Sequence, residues 1–144
     1  MSERKNLGFI GVGLMGHGLA KNLMKHGHAM TLHEHAGNQP MEDLIGMGAR
    51  TAKTPREVAQ GADVVFMCVT GSPQVEACVY GPDGLLEGLR AGAIVVDATT
   101  ADPVSTAKVA AAVQARGGRY ADAPMTRTSQ HAEDGNVNAM LGGD

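Results

Sequence analysis

Leu7-Gly8-Phe9-Ile10-Gly11-Val12-Gly13-Leu14-Met15-Gly16, continued by Leu19 and Leu23, carries two periodicities joined by a cluster of glycines. The apolar run Leu7 to Ile10 reads as a short strand, and Met15, Leu19 and Leu23 recur every fourth residue, as on one face of a helix. Gly11-Val12-Gly13-Leu14-Met15-Gly16 between them is G-x-G-x-x-G, set after a strand and before a helix, the context in which that spacing carries chemistry. There Gly11 permits a tight turn, Gly13 leaves no side chain between the backbone and a pyrophosphate, and Gly16 lets helix and sheet close up. Amides at the helix start would face the phosphates, where the helix dipole favours negative charge. A glycine turn can also bind nothing. An acid downstream separates the two readings, and Glu34 stands 18 residues beyond Gly16 at the end of the next predicted strand, where a carboxylate can accept from ribose hydroxyls and repel a 2′-phosphate. With no arginine in His35-Ala36-Gly37-Asn38, the expected cofactor is NAD rather than NADP.

Working outward, Lys25-His26-Gly27 ends the first helix, with cationic residues in the last turn and glycine for a left-handed cap. A second strand covers about Ala29 to Leu32, Pro40 opens a short helix through Met47, and Thr54-Pro55-Arg56-Glu57 starts another that runs to about Gln60. Val64-Val65-Phe66-Met67-Cys68-Val69 and Ala93-Ile94-Val95-Val96 are continuously apolar, as parallel strands covered on both faces are. Short helices are expected over Ser72 to Tyr80 and Pro82 to Leu89, and Asp102-Pro103 caps an alanine-rich helix lasting to Gly117-Gly118. Tyr120-Ala121-Asp122-Ala123-Pro124 leads into a loop rich in Thr, Ser, His and Gly, then a brief apolar stretch, Ala139-Met140-Leu141. Alternating strand and helix specify an α/β fold with a doubly wound, mostly parallel sheet, a Rossmann-type dinucleotide-binding domain.

Composition narrows the function classes. Twelve basic against fifteen acidic side chains give a net charge of −3, which offers no footprint for nucleic acid. With two Phe, two Tyr and no Trp, no base-stacking platform can be assembled. Twenty glycines in 144 residues, about twice the usual ~7%, demand sharp turns and close backbone approaches. The four-residue apolar run at the start falls far short of a signal sequence or a membrane span. Cys68 and Cys78 form no CxxC pair and read as buried reduced thiols, so a cytoplasmic protein is expected. His33 and His35 flank Glu34 and face one side of a strand, yet no further ligand stands near them in sequence, so no metal site is expected.

The run Gly8 to Gly16 followed by Leu19-Ala20-Lys21-Asn22-Leu23 resembles the N-terminus of the β-hydroxyacid dehydrogenases, which include 3-hydroxyisobutyrate dehydrogenase and tartronate semialdehyde reductase and are related to 6-phosphogluconate dehydrogenase. Asp97-Ala98-Thr99-Thr100-Ala101-Asp102-Pro103 is similar to that family's D-x-S-T-x-x-P segment, Asp122-Ala123-Pro124 to the start of its D-A-P-V-S-G-G segment, and Gly142-Gly143 to the glycine motif that follows. The likeness spans essentially the whole chain. It implies that Gly11, Val12, Gly13, Leu14, Met15 and Gly16 hold the cofactor with Glu34, that Val69, Thr70 and Gln74 lie along it, and that Thr100 approaches the nicotinamide side. The last four fall at or beyond the carboxyl ends of predicted strands, where open α/β sheets keep their ligands.

Two departures matter. Met125-Thr126-Arg127-Thr128 replaces the family's V-S-G-G, setting a guanidinium and two hydroxyls where a substrate's anionic end is expected. This resembles the sulfolactaldehyde reductase branch, whose arginine meets a sulfonate; on charge grounds a carboxylate semialdehyde suits Thr126, Arg127 and Thr128 equally. Family members also carry a helical C-terminal domain bearing the lysine that transfers the proton, and none of Lys5, Lys21, Lys25, Lys53 or Lys108 lies near the predicted substrate loop. The expectation is the NAD-binding half of an oxidoreductase, a truncated chain or surviving fragment with no catalytic residue of its own, acting on a small anionic substrate and homo-oligomeric when full-length. A non-catalytic NAD-binding module and the cofactor domain of an imine reductase are the alternatives.

Overall fold

Strand β1 (Asn6–Ile10) lies between β2 (Ala29–His33) and β4 (Val64–Met67), so the chain leaves β1 towards one side of the sheet and later returns to its other side. The computed structural model describes residues 5–123 and 142–143. Adding β3 (Arg50–Ala52), β5 (Ile94–Asp97), β6 (Arg119–Asp122) and β7 (Gly142–Gly143) gives one sheet of order β3-β2-β1-β4-β5-β6-β7 among the described residues. All neighbours are parallel except β6 and β7, which pair antiparallel through Ala121 with Gly143 and Asp122 with Gly142. The mostly parallel, doubly wound Rossmann-type sheet expected from the alternation of elements is what the chain adopts.

Side-chain alternation along the central strands divides the interior in two. Leu7 and Phe9 of β1 and Val64 and Phe66 of β4 face one layer, where helix α1 (Leu14–Lys25) supplies Leu19, Ala20 and Leu23 and α2 (Glu42–Gly46) supplies Leu44. The Phe9 and Phe66 rings stack at 6.0 Å. Ile10, Val65, Met67 and Val95 face the other layer, built from Val58 of α3 (Pro55–Gln60), Val75 and Val79 of α4 (Ser72–Tyr80), Leu85 of α5 (Leu85–Gly88), and Val109 and Val113 of α6 (Pro103–Ala115). Among the described residues, fourteen buried in this second cluster and eight in the first, at roughly 1.5–3 kcal/mol for each large aliphatic or aromatic side chain, fasten the sheet from both faces.

Local signals place most boundaries. Thr54 Oγ1 accepts from the Glu57 amide at 3.2 Å, and the Glu57 carboxylate accepts from the Lys53 amide at 3.1 Å, with Pro55 at the first helical position. Asp102 Oδ1 accepts from the Val104 amide at 3.0 Å and starts α6. Gly27 (φ 91°) and Gly117 (φ 84°) take the left-handed conformation just past α1 and α6.

Other boundaries moved. Helix α2 begins at Glu42 rather than Pro40, because the Gln39 amide donates to the Val12 carbonyl at 2.8 Å and ties that segment to the turn after β1. The helix expected over Pro82 to Leu89 contracts to α5, and β4 ends at Met67, after which Cys68 donates to the Ile10 carbonyl at 2.9 Å. Strands β3 and β6 lack the long apolar runs that announced β4 and β5. Among the described residues no helix is long and apolar enough to cross a membrane.

Candidate functional site

Because the chain crosses over after β1 and after β4 in opposite directions, the loops leaving these two strands diverge and open a crevice at the carboxyl edge of the sheet. A cavity of about 270 Å³ occupies it. Ile10, Gly11 and Gly13 form one wall, Cys68, Val69 and Thr70 the opposite one, Gln74, Ala77 and Cys78 of α4 the flank, and His33, His35, Gly37 and Asn38 the end beyond β2.

Each glycine of the turn has a separate physical reason. Gly11 has φ 96°, and a Cβ on it would run into the Cys68 carbonyl of the facing loop. Gly16, inside α1, lies so close that a Cβ would strike the Gly11 carbonyl. Gly13 differs: a Cβ there would meet nothing within 4 Å among the described residues, so none of them requires a glycine. It caps α1 without a side chain, so the first amides of that helix meet the crevice with no side-chain acceptor. Open space ahead of uncapped, dipole-aligned amides fits a pyrophosphate.

Glu34 follows β2 directly; its amide donates to the Ala52 carbonyl at 2.8 Å and its side chain is exposed. The cavity wall is built by its neighbours His33 and His35, whose rings lie 6.1 Å apart, and Glu34 itself is not among the residues that line it. Burial, then the neighbouring His35, holds the His33 imidazole below its usual pKa and hence neutral near pH 7. His35 Nδ1 accepts from the Gly37 amide at 3.0 Å, and Asn38 donates its amide to the His33 carbonyl at 2.9 Å. Among the described residues no group of three or more His, Cys, Asp or Glu side chains gathers as a metal would need.

Of the other residues singled out from sequence, Val69, Thr70 and Gln74 line the cavity. Val12 is fully buried in the α1 layer and contributes its carbonyl to Gln39; Leu14 is 66% exposed at the start of α1, and Met15 is half-buried. Thr100 is exposed beyond β5 and does not reach the wall, whereas Thr99, which sequence reading passed over, is buried and accepts from the Val69 amide at 3.0 Å. Thr126, Arg127 and Thr128 lie outside the described residues.

The two thiols, read from sequence as core, are half-buried and both line the crevice. Burial, reinforced by Asp97, pushes the Cys68 thiol up to about 11, and Cys78 is raised for the same reasons. Against the ordinary 9.0, this leaves Cys68 with about a hundredfold less thiolate near neutral pH. Because a more basic sulfur is also the better nucleophile, iodoacetamide is expected to label Cys68 about tenfold more slowly than a free thiol, as read by mass spectrometry over time, and dinucleotide should slow it further. Labelling at the free-thiol rate would contradict the burial.

Comparison with known proteins agrees with this geometry. The family described as the NAD binding domain of 6-phosphogluconate dehydrogenase matches residues 6–144. The cytokine-like nuclear factor N-PAC of Xenopus tropicalis is 37% identical over 140 residues, covering 97% of this chain and 26% of that protein. A 3-hydroxyisobutyrate dehydrogenase from Salmonella typhimurium superposes with a TM-score of 0.85 at 25% identity, over 94% of this chain and 47% of that one. Psf3, solved with NADP+ and 2-OPP, gives a TM-score of 0.84 at 32% identity, over 96% of this chain and 49% of that one. The chain thus spans about a quarter of N-PAC and about half of the two solved chains. On the family match and the crevice together, the chain belongs to the NAD-binding domain family of 6-phosphogluconate dehydrogenase, to which the 3-hydroxyisobutyrate dehydrogenase-like oxidoreductases are related.

Proposed function

We propose that this chain is the cofactor-holding half of a dehydrogenase moving a hydride between NAD(H) and a small anionic β-hydroxyacid or its semialdehyde. The observation that carries the reading is the open space at Gly13, ahead of the uncapped start of α1 and facing Val69 and Thr70 across the crevice. When bound, a nicotinamide supplies the hydride acceptor or donor. The chain's own part is to bind and orient. The first amides of α1 take the pyrophosphate, Glu34, exposed between two wall residues at the end of β2, is assigned to the ribose hydroxyls, and Val69, Thr70 and Gln74 line the facing wall. The negative charge of Glu34 supports NAD over NADP. Thr126, Arg127 and Thr128 supply the donors for the substrate's anion, carboxylate or sulfonate. The proton-transferring group belongs to the rest of the intact protein, which we take to be cytoplasmic and homo-oligomeric.

Titration calorimetry of the chain with NADH and NADPH tests the cofactor assignment. NADH is expected to bind at least about tenfold more tightly, a difference of 1.4 kcal/mol, and equal or absent heats overturn the assignment. Turnover of anionic semialdehydes but not cyclic imines by the intact gene product tests the substrate class. A second reading, a dinucleotide-binding module without turnover, is favoured by the likeness to N-PAC, named as a nuclear factor. Tight NADH binding with no turnover by the intact protein would decide for it.

A further inference from the structure

Asp97, the last residue of β5, is 1% exposed, and a carboxylate removed from water this completely persists only when its oxygens are occupied by donors. Both are. Tyr120 of β6, itself 4% exposed, donates its hydroxyl to Asp97 Oδ2 at 2.8 Å, and the Thr99 amide donates to Oδ1 at 2.9 Å. Thr99, 2% exposed, then offers its Oγ1 as acceptor to the Val69 amide at 3.0 Å. These bonds form a continuous line from β6, across the carboxyl end of β5, to the wall of the dinucleotide crevice.

The line begins where the sheet stops. The β4–β5 register ends at Met67 opposite Asp97, and the last main-chain ties there are Ala98 to the Met67 carbonyl at 2.7 Å and Cys68 to the Ile10 carbonyl at 2.9 Å. Past that point Val69 is attached to the β5 side by the Thr99 hydroxyl. Asp122, register partner of Asp97, has its carboxyl raised by burial and by the Asp97 charge, and Tyr120 is raised by burial and Asp97, so the Tyr120 phenol stays protonated and keeps donating.

We propose that Asp97, Thr99 and Tyr120 are positioning residues for dinucleotide binding: through the Thr99–Val69 bond they fix where the Val69–Thr70 wall stands across the crevice from the glycine turn. None of the three lines the cavity, so their effect on the ligand passes through that wall. The proposal rests on the cofactor reading given above.

Thr99→Val keeps the shape and deletes the acceptor, while Thr99→Ser keeps the oxygen. Measured on the whole chain by NADH fluorescence titration, Thr99→Val is expected to weaken binding about tenfold and Thr99→Ser to restore it to within about twofold of wild type. The Val69 amide proton should move upfield in Thr99→Val and not in Thr99→Ser, a signal that loss of stability alone would not give. Should Thr99→Val not fold, Tyr120→Phe carries the test from the far end of the line, with an expected loss of about threefold. Wild-type affinity in the folded Thr99→Val chain, or in Tyr120→Phe where that variant stands in, overturns this proposal alone. A wild-type chain that binds neither NADH nor NADPH overturns the cofactor reading and this proposal with it.

Discussion

Gly13→Asp is expected to raise the melting temperature of this chain and abolish its dinucleotide binding. Gly13 caps α1 at φ −88°, a conformation any residue adopts, and a Cβ there would meet nothing within 4 Å. Aspartate is a preferred cap: its carboxylate accepts from the amides of Met15 or Gly16 and complements the helix dipole, together worth about 1 kcal/mol. For a chain of this size that is a rise of roughly 2–4 °C. The same carboxylate takes the donors and the space that a pyrophosphate would use and sets a negative charge against it, so affinity for NADH should fall more than about a hundredfold, or 2.7 kcal/mol. Gly13→Ala separates the contributions, since its methyl fills space without charge; an intermediate loss of about tenfold is expected, less sensitive to added salt. Thermal melting and fluorescence titration on the same samples measure both effects. A Gly13→Asp chain that binds NADH within about threefold of wild type would remove the turn from the binding site.

The stability gain and binding loss in that variant have one cause, and the same division explains what could be read from the sequence. Backbone requirements are written in residue types. Gly11 and Gly16 had to be glycine for packing, Gly27 for a left-handed cap, and Thr54 and Asp102 for their caps, and each stands where its local signal put it. Strands β1, β4 and β5 announced themselves by apolar runs, whereas β3 and β6, with Arg50, Thr51 and Arg119 exposed, are defined by the neighbour they pair with.

Similarly, Val69 and Thr70 follow the end of a legible strand and line the crevice. Cys78 looked like core, and Thr99 stood out only as part of the segment Asp97 to Pro103 with no role of its own, because the role of each depends on which strands lie side by side. At the end of β2 the phase of a period of two decides which side chains enter the wall, and it placed His33 and His35 there with Glu34 between them.

Gly16→Ala sets helix propensity directly against tertiary packing. Alanine is the better helix former by about 1 kcal/mol, so a reading of α1 alone makes the substitution stabilising. The packing reverses the sign. A Cβ on Gly16 would collide with the Gly11 carbonyl oxygen and lie 3.0 Å from the edge of the Phe9 ring. Neither neighbour can yield cheaply: Gly11 is held at φ 96° where even a Cβ would have no room beside the Cys68 carbonyl, and Phe9 is fully buried and stacked on Phe66. Relief therefore requires α1 to move off the sheet or the turn to open. Overpacking costs about 1–3 kcal/mol, and a collision this deep with neighbours this rigid belongs at the upper end; less the ~1 kcal/mol of propensity, a net loss near 2 kcal/mol lowers the melting temperature by roughly 4–8 °C. Gly46→Ala in α2, where a Cβ meets nothing within 4 Å, reports propensity without collision and should melt at or slightly above wild type. The displaced turn carries Gly11 and Gly13 with it, so Gly16→Ala should also weaken NADH binding, although Gly16 itself does not line the cavity. A Gly16→Ala chain melting level with Gly46→Ala would mean that helix and turn are not in contact. The amides of α1 would then have no fixed direction into the crevice.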